Sequence, residues 1–252
     1  MIGTLQRSLV VHDASPEARG WFAGEPAGTL LVVADGMGGQ GGGDLASSTA
    51  INTVTRYLLN VMSWTRAAPS EPRSSLTGVR SQLSSALLLG DQVVKRAGAR
   101  SGTPHMGTTL TMALIQWPVL YVAHVGDTRC YLLHQRQLRL LTTDHNLAQK
   151  LSEDPRTDFE PPAHLQNVLW NSLGATNELP QPQLCKLSLE PGDTLLLCSD
   201  GLNKHVSEQQ LASTLLSPGT SATRAAELVR LANEAGGTDN ITVVVSELVA
   251  PV

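Results

Sequence analysis

The chain has little of what would mark a disulfide-held, membrane-spanning or nucleic-acid-binding protein. Three of its 252 residues are cysteines, Cys130, Cys185 and Cys198, and they form no CxxC pair. Neither a disulfide framework nor a thiolate zinc site is expected, and buried thiols in a reducing compartment are the simpler reading. No apolar run approaches a membrane span, and the opening "MIGTLQRSLVVHDASPEARGW" lacks a long apolar core and a small-residue cleavage site. The expected location is the cytoplasm, with no membrane partner. A formal net charge of −4 with 16% charged residues argues against a basic surface for nucleic acid. Internal repeats and coiled-coil heptads are missing as well. Six glycines fall between residues 36 and 43, but they match neither GxGxxG nor a phosphate loop with its Lys and Ser/Thr.

What is present suits a large soluble core: 41% hydrophobic residues in 26.8 kDa. The Leu- and Val-rich residues 29–34 read as a buried strand ending at Asp35. Ala46, Ala50, Val54, Leu58 and Val61 recur at helical spacing over 44–62, with Asp44 as the candidate cap. After the polar, Pro-bearing 65–75, a second amphipathic helix is predicted over 76–97. The segments "TTLTMALIQ", "VLYVAHVG", "RCYLLHQ" and "QLRLLT" read as short strands of an antiparallel sheet with hairpins. Pro191-Gly192-Asp193 reads as a turn between two further strands. Helices are expected at 207–216 and 220–235, before a closing strand in "NITVVVSEL". Helices gathered before and after a block of strands predict a layered α+β sandwich rather than a doubly wound fold. The polar, weakly periodic stretch between Asp144 and Pro182 reads as a loop or small insertion.

Four segments bring an Asp to the end of an apolar strand beside small residues: Asp35, Asp127 and Asp200 after a strand, and Asp239 before one. A lone Asp in such a place is ordinarily a turn or cap residue. A buried carboxylate without a partner is protonated or costly, and divalent cations are the simplest shared remedy for four of them. Carboxylates and water suit Mg²⁺ or Mn²⁺. Two such ions would activate a water and orient a phosphate for in-line attack, with the carbonyl of Gly36 able to come close.

In family order along the chain stand "VVADGMGG", "GTTLTMALI", "VAHVGDTRCYLL", "LTTDHNLAQ", "LLLCSDGL" and "GGTDNITVVV", covering about 29–247. This set closely resembles the metal-dependent serine/threonine protein phosphatases of the type 2C (PPM) class, in their bacterial style. The resemblance implies a four-layer α-β-β-α sandwich, a central antiparallel β-sandwich flanked by helices, as a single phosphatase-like domain over 1–252. It implies a flap-like variable segment at about 146–181, and a binuclear Mg²⁺/Mn²⁺ centre. Asp35 would bridge the two ions, Gly36 would offer its carbonyl to one, Asp200 and Asp239 would hold the other, and Asp127 would help hold a third. The implied chemistry is direct attack of metal-bound water on phosphoserine or phosphothreonine of a phosphorylated protein, by a protein expected to be monomeric. Cys198, with no CxxxxxR loop after it, is expected to be packed rather than nucleophilic. Thr108, Asn240 and Asp13 take supporting roles, and Asp144 and His145 are expected to cap the turn after "TTD".

The resemblance fails in one place. Where the family carries an Arg and then Asn-Glu-Asp, this chain reads "QRSLVVHDAS", which puts His12 at the Glu position, Asp13 at the Asp, and Ser8 at the Arg, with Arg7 next door. His12 is therefore a candidate ligand, and Arg7 or Arg129 a candidate phosphate-binding residue. Two alternatives follow: a non-catalytic pseudophosphatase that binds a phosphoprotein or regulatory partner, and a hydrolase of small phosphate esters. The flap's Glu153, Asp154, Asp158 and Glu160 would favour basic phosphopeptides.

Overall fold

A computed structural model describes residues 2–5, 9–11, 28–39, 41–62, 76–155 and 159–248. The elements in chain order are β1 (Ile2–Leu5), β2 (Leu9–Val11), β3 (Gly28–Val33), β4 (Gly36–Met37), α1 (Gly42–Val61) and α2 (Leu76–Ser101). Next come β5 (Gly107–Thr108), β6 (Leu110–Gln116), β7 (Val119–Val125), β8 (Arg129–His134), β9 (Gln137–Leu140) and α3 (Leu147–Ser152). A 3-10 turn (Ala163–Asn167) precedes β10 (Gln183–Ser188), β11 (Thr194–Cys198), α4 (Asp200–Asn203), α5 (Glu208–Leu216), α6 (Ser221–Glu234) and β12 (Val243–Glu247).

Two antiparallel sheets form the centre, one in the order β10-β7-β6-β3-β1-β2 and the other β12-β11-β8-β9. In β3, β6, β7, β8 and β11 the side chains alternate with period two, and each parity is buried in a different layer. From β3, Leu30 and Val32 face α1 and α2, while Leu31 and Val33 face the second sheet. From β11, Leu195 and Leu197 fill the space between the sheets, and Leu196 and Cys198 pack under α4, α5 and α6. These central strands are thus covered on both faces, which is why they read as continuous apolar runs. The result is the expected α+β sandwich in four layers, α-β-β-α.

Several local expectations need correction. Gln183–Ser188 and Thr194–Cys198 do not form a hairpin: β10 pairs with β7 in one sheet and β11 with β8 and β12 in the other, so the Pro191-Gly192-Asp193 turn crosses between sheets. Helix α1 begins before Asp44, which lies in its first turn; Gly41 occupies the cap position at φ 79°. Helix α3 is capped by Asn146, whose side-chain oxygen accepts from the backbone N–H of Gln149 at 2.9 Å, and not by Asp144 or His145. Arg7, Ser8, His12, Asp13, the link 65–75 and Asp158 of the variable segment lie outside the described residues.

Candidate metal centre

Strand direction alone brings the acidic residues to one end of the sandwich. In the six-stranded sheet Val33 pairs with Thr111 and Leu110 with Val125, so the C-termini of β3 and β7 lie beside the N-terminus of β6. Asp35 and Asp127 follow those two termini. In the other sheet Cys198 pairs with both Val243 and Arg129, so the C-terminus of β11 lies beside the starts of β8 and β12. Asp200 and Asp239 flank that same end.

Hydrogen bonds fix the loops that carry Asp35, Asp200 and Asp239. The Asp35 N–H donates to Thr109 Oγ1 at 2.9 Å, and its carbonyl accepts from Thr108 Oγ1 and from the Thr109 N–H, each at 2.9 Å. Thr108 and Thr109 thus both hold the Asp35 backbone. Ser199 joins the other two: its Oγ donates to Asn240 O at 3.0 Å and accepts from the Thr242 N–H at 2.9 Å. The Asn240 N–H donates to Asp239 Oδ1 at 2.8 Å, so the Asn240 backbone helps hold the loop. From the other side, the Thr238 N–H donates to His205 Nε2 at 3.3 Å.

The glycines after Asp35 are required by a close approach of backbones. A Cβ on Gly36 would lie 2.0 Å from Gly43 O, and one on Gly43 would lie 2.6 Å from Gly36 O. The turn from β4 into α1 therefore packs directly against the residue that follows Asp35. At Gly126, before Asp127, φ is 109° and a Cβ would meet the Thr109 side chain at 2.5 Å.

The carboxylates act on one another. Burial, reinforced by the fields of Asp200 and Asp239, pushes the Asp35 carboxyl up to about 7. Burial, with Asp200, Asp144 and Asp35 nearby, pushes Asp127 up to about 7 as well. Among the described residues, the cation beside them is Lys204, which the sequence reading missed. Its Nζ lies 2.5 Å from Asp200 Oδ2 and 4.0 Å from Asp239 Oδ2. Partial burial works against the charge of Lys204, but Asp200, Asp239 and Asp127 more than offset it and raise its pKa. The signal was available in "DGLNK", where Lys204 follows Asp200 at helical i,i+4 spacing.

Arg129 is not free to clamp a phosphate as expected. Its Nε and one Nη donate to the two oxygens of Asp144 at 2.9 and 2.8 Å, and the other Nη donates to Tyr131 OH at 3.0 Å. Burial disfavours the Arg129 charge, and Asp144 more than compensates. His145 is buried, and its Nδ1 accepts from the Gly126 N–H at 3.1 Å and from Asn171 Nδ2 at 2.9 Å. It secures the Gly126-Asp127 turn to the start of the variable segment. Its ring lies 4.7 Å from that of His124 and 5.1 Å from that of Trp170. Cys198 is fully buried and its thiol is pushed up to about 12 by that burial, so it is packed rather than nucleophilic.

The donor set fits a hard divalent cation. It consists of carboxylate oxygens, burial and neighbouring carboxylates push two of its members up to about 7, and Asp200 Oδ1 is buried without a hydrogen-bond partner. Among the described residues no three His, Cys, Asp or Glu side chains close on a single point as they stand; Asp200 leans instead on Lys204.

This end of the two-sheet sandwich carries a cluster of strand-end carboxylates. The protein phosphatase 2C family model matches residues 6–234, and the chain belongs to that family of metal-dependent serine/threonine protein phosphatases. It is 34% identical over 218 residues to protein phosphatase PhpP of Streptococcus pneumoniae, covering 85% of this chain and 84% of the relative. The S. agalactiae serine/threonine phosphatase superposes with a TM-score of 0.75 at 30% identity, covering 88% of each chain. The catalytic domain of the serine/threonine protein phosphatase PstP in complex with two manganese ions superposes with a TM-score of 0.71 at 31% identity, also covering 88% of each. Among the described residues no helix is long and apolar enough to cross a membrane.

Proposed function

We propose that the chain hydrolyses phosphoserine and phosphothreonine in proteins at a centre of two Mg²⁺ or Mn²⁺ ions held by Asp35, the Gly36 carbonyl, Asp200 and Asp239, with Asp127 toward a third. The observation that carries this reading is the meeting of Asp35, Asp127, Asp200 and Asp239 at one end of the sandwich, where burial and mutual repulsion raise two of them to about 7. When bound, divalent ions supply Lewis acidity that makes water a nucleophile at neutral pH and screens the phosphate charge.

The chain's own residues supply position and a controlled loss of protons. Asp35 is held at its N–H and its carbonyl by Thr108 and Thr109, so its carboxylate is aimed before any ligand arrives. Asp35 and Asp127 give up their protons as the cations bind, so loading is coupled to proton release. Ser199 keeps Asp200 and Asp239 in register with each other. With the Arg129 fork closed on Asp144, Arg7 is the phosphate-binding residue in this reading and His12 an accessory ligand. Residues 146–181 act as a flap anchored by His145 beside Asp127, in one domain that works as a monomer in the cytoplasm. The expectation that the flap's acidic residues favour basic phosphopeptides belongs to the same reading.

Phosphate release from a phosphothreonine peptide, followed with and without Mn²⁺, tests the proposal. Mn²⁺-dependent turnover that falls by orders of magnitude in a folded Asp200→Ala protein is the expected result. A folded wild type that binds the phosphopeptide but never turns it over would favour the pseudophosphatase reading. Turnover of p-nitrophenyl phosphate alone would favour a small-ester hydrolase.

A further inference from the structure

We propose that Lys204 is the resident counter-ion of the carboxylate cluster and that a divalent cation binds by displacing it, so that Lys204 sets the metal concentration the enzyme requires. This rests on the metal-centre reading above.

The local fold delivers the ammonium to the cluster. The Lys204 N–H donates to Asp200 O at 2.9 Å, closing the turn of α4. Helical side chains lean toward the N-terminus, which carries Nζ back over Asp200, to 2.5 Å from Oδ2 and 4.0 Å from Asp239 Oδ2. Its field reaches Asp35 and Asp127 as well, acting on each against the carboxylates around it.

Among the described residues, one positive charge beside four carboxylates is an incomplete answer. Asp200 uses only one oxygen on Lys204, and its Oδ1 stays buried without a partner. A divalent ion brings twice the charge and accepts several oxygens at once. The ammonium and the ion compete for the same face of Asp200, because like charges a few Å apart repel strongly in a partly buried site. Displacement needs no backbone movement: the lysine side chain is 35% exposed against 14% for Asp200, and its flexible four-carbon stem can swing into solvent. A tethered cation held beside its anion is an intramolecular competitor at high effective concentration.

Calorimetric Mn²⁺ titrations of wild type, Lys204→Met and Lys204→Arg provide the test. Lys204→Met keeps the stem and removes the charge; it should bind Mn²⁺ roughly tenfold tighter, within the usual range of coupling between two bound species, while Lys204→Arg stays near wild type. Without metal, Lys204→Met should melt lower than wild type, and saturating Mn²⁺ should abolish the difference. Unchanged or weaker Mn²⁺ binding by a folded Lys204→Met protein would overturn the proposal and leave the metal centre standing. If that variant does not fold, the wild type decides. Acylation of Lys204 by an amine-reactive ester, read by mass spectrometry, should speed up several-fold on adding Mn²⁺, and an unchanged or slower rate would overturn the proposal. A wild type that shows neither heat nor a melting shift with Mn²⁺ would remove the metal centre itself, and the proposal with it.

Discussion

Asp35 and Arg129 show how much a single side chain's meaning depends on what surrounds it. The Asp35 carboxyl titrates near 7 in the fold against 3.8 for the ordinary group, so between those values the folded state holds a proton that the unfolded chain has released. Its contribution to stability is present at acid pH and is lost as pH rises toward and through 7. Metal-free Asp35→Asn should therefore melt higher than wild type at pH 8 and no higher at pH 4, as thermal unfolding in EDTA would show. Arg129 pairs with a largely buried Asp144. Arg129→Ala would strand that carboxylate and the Tyr131 hydroxyl, costing roughly 3 kcal/mol of stability in urea unfolding, and KM for p-nitrophenyl phosphate should change little. The sequence showed Arg129 as a basic residue near an acidic motif; that its fork closes on Asp144 is a contact between β8 and the loop after β9, fifteen residues apart, which no local pattern encodes.

At the level of elements, the strands and helices were legible because each follows one period. Leu30, Leu31, Val32 and Val33 announce a strand buried on both faces, and Ala46, Ala50, Val54 and Leu58 a helix with one buried face. The sheet to which a strand belongs was not legible, since β10 and β11 follow one another and are joined by a turn that would equally suit a hairpin. Nor was the cause of the glycine cluster: no spacing rule says that Gly36 and Gly43 touch. That contact makes a sharp prediction. Gly36→Ala places a methyl 2.0 Å from a backbone oxygen, where no side chain can yield, so α1 must shift away from Asp35. The protein should lose several kcal/mol, about what severe overpacking costs, and its Mn²⁺-dependent turnover with it, whereas Gly39→Ala, with nothing within 4 Å, should leave stability within about 0.5 kcal/mol. Urea unfolding of the two variants side by side makes the comparison.

Across the whole molecule, two sets of buried groups respond to pH in opposite directions, and bound metal decides which is seen. His124 donates from Nε2 to Thr143 O at 3.1 Å and is fully buried. Burial, with His145 beside it, lowers it to about 3, and burial lowers His145 to about 4. Both stay neutral in the fold at pH values where the unfolded chain has taken up protons. Their contribution is complete above 6.5 and is lost as pH falls toward 4 and then 3. Asp35 and Asp127 do the reverse, losing stability as pH rises from 3.8 toward 7. In the metal-free protein the two trends run over the same window and largely cancel, so the melting temperature should vary little between pH 4.5 and 7. Saturating Mn²⁺ removes the carboxylate contribution, since a cation now holds those groups ionised, and adds its own affinity for the deprotonated site. The loaded protein should then melt at progressively higher temperature as pH rises through that window. Metal-free Asp127→Asn should move part of the way to the same rising profile, because it deletes one carboxylate and leaves the histidines in place. A set of melting curves from pH 4.5 to 7.5, for wild type in EDTA, wild type in Mn²⁺ and Asp127→Asn in EDTA, reads this directly. Identical profiles for the two wild-type series would mean that the four carboxylates at the end of the sandwich do not share their charge with a bound ion.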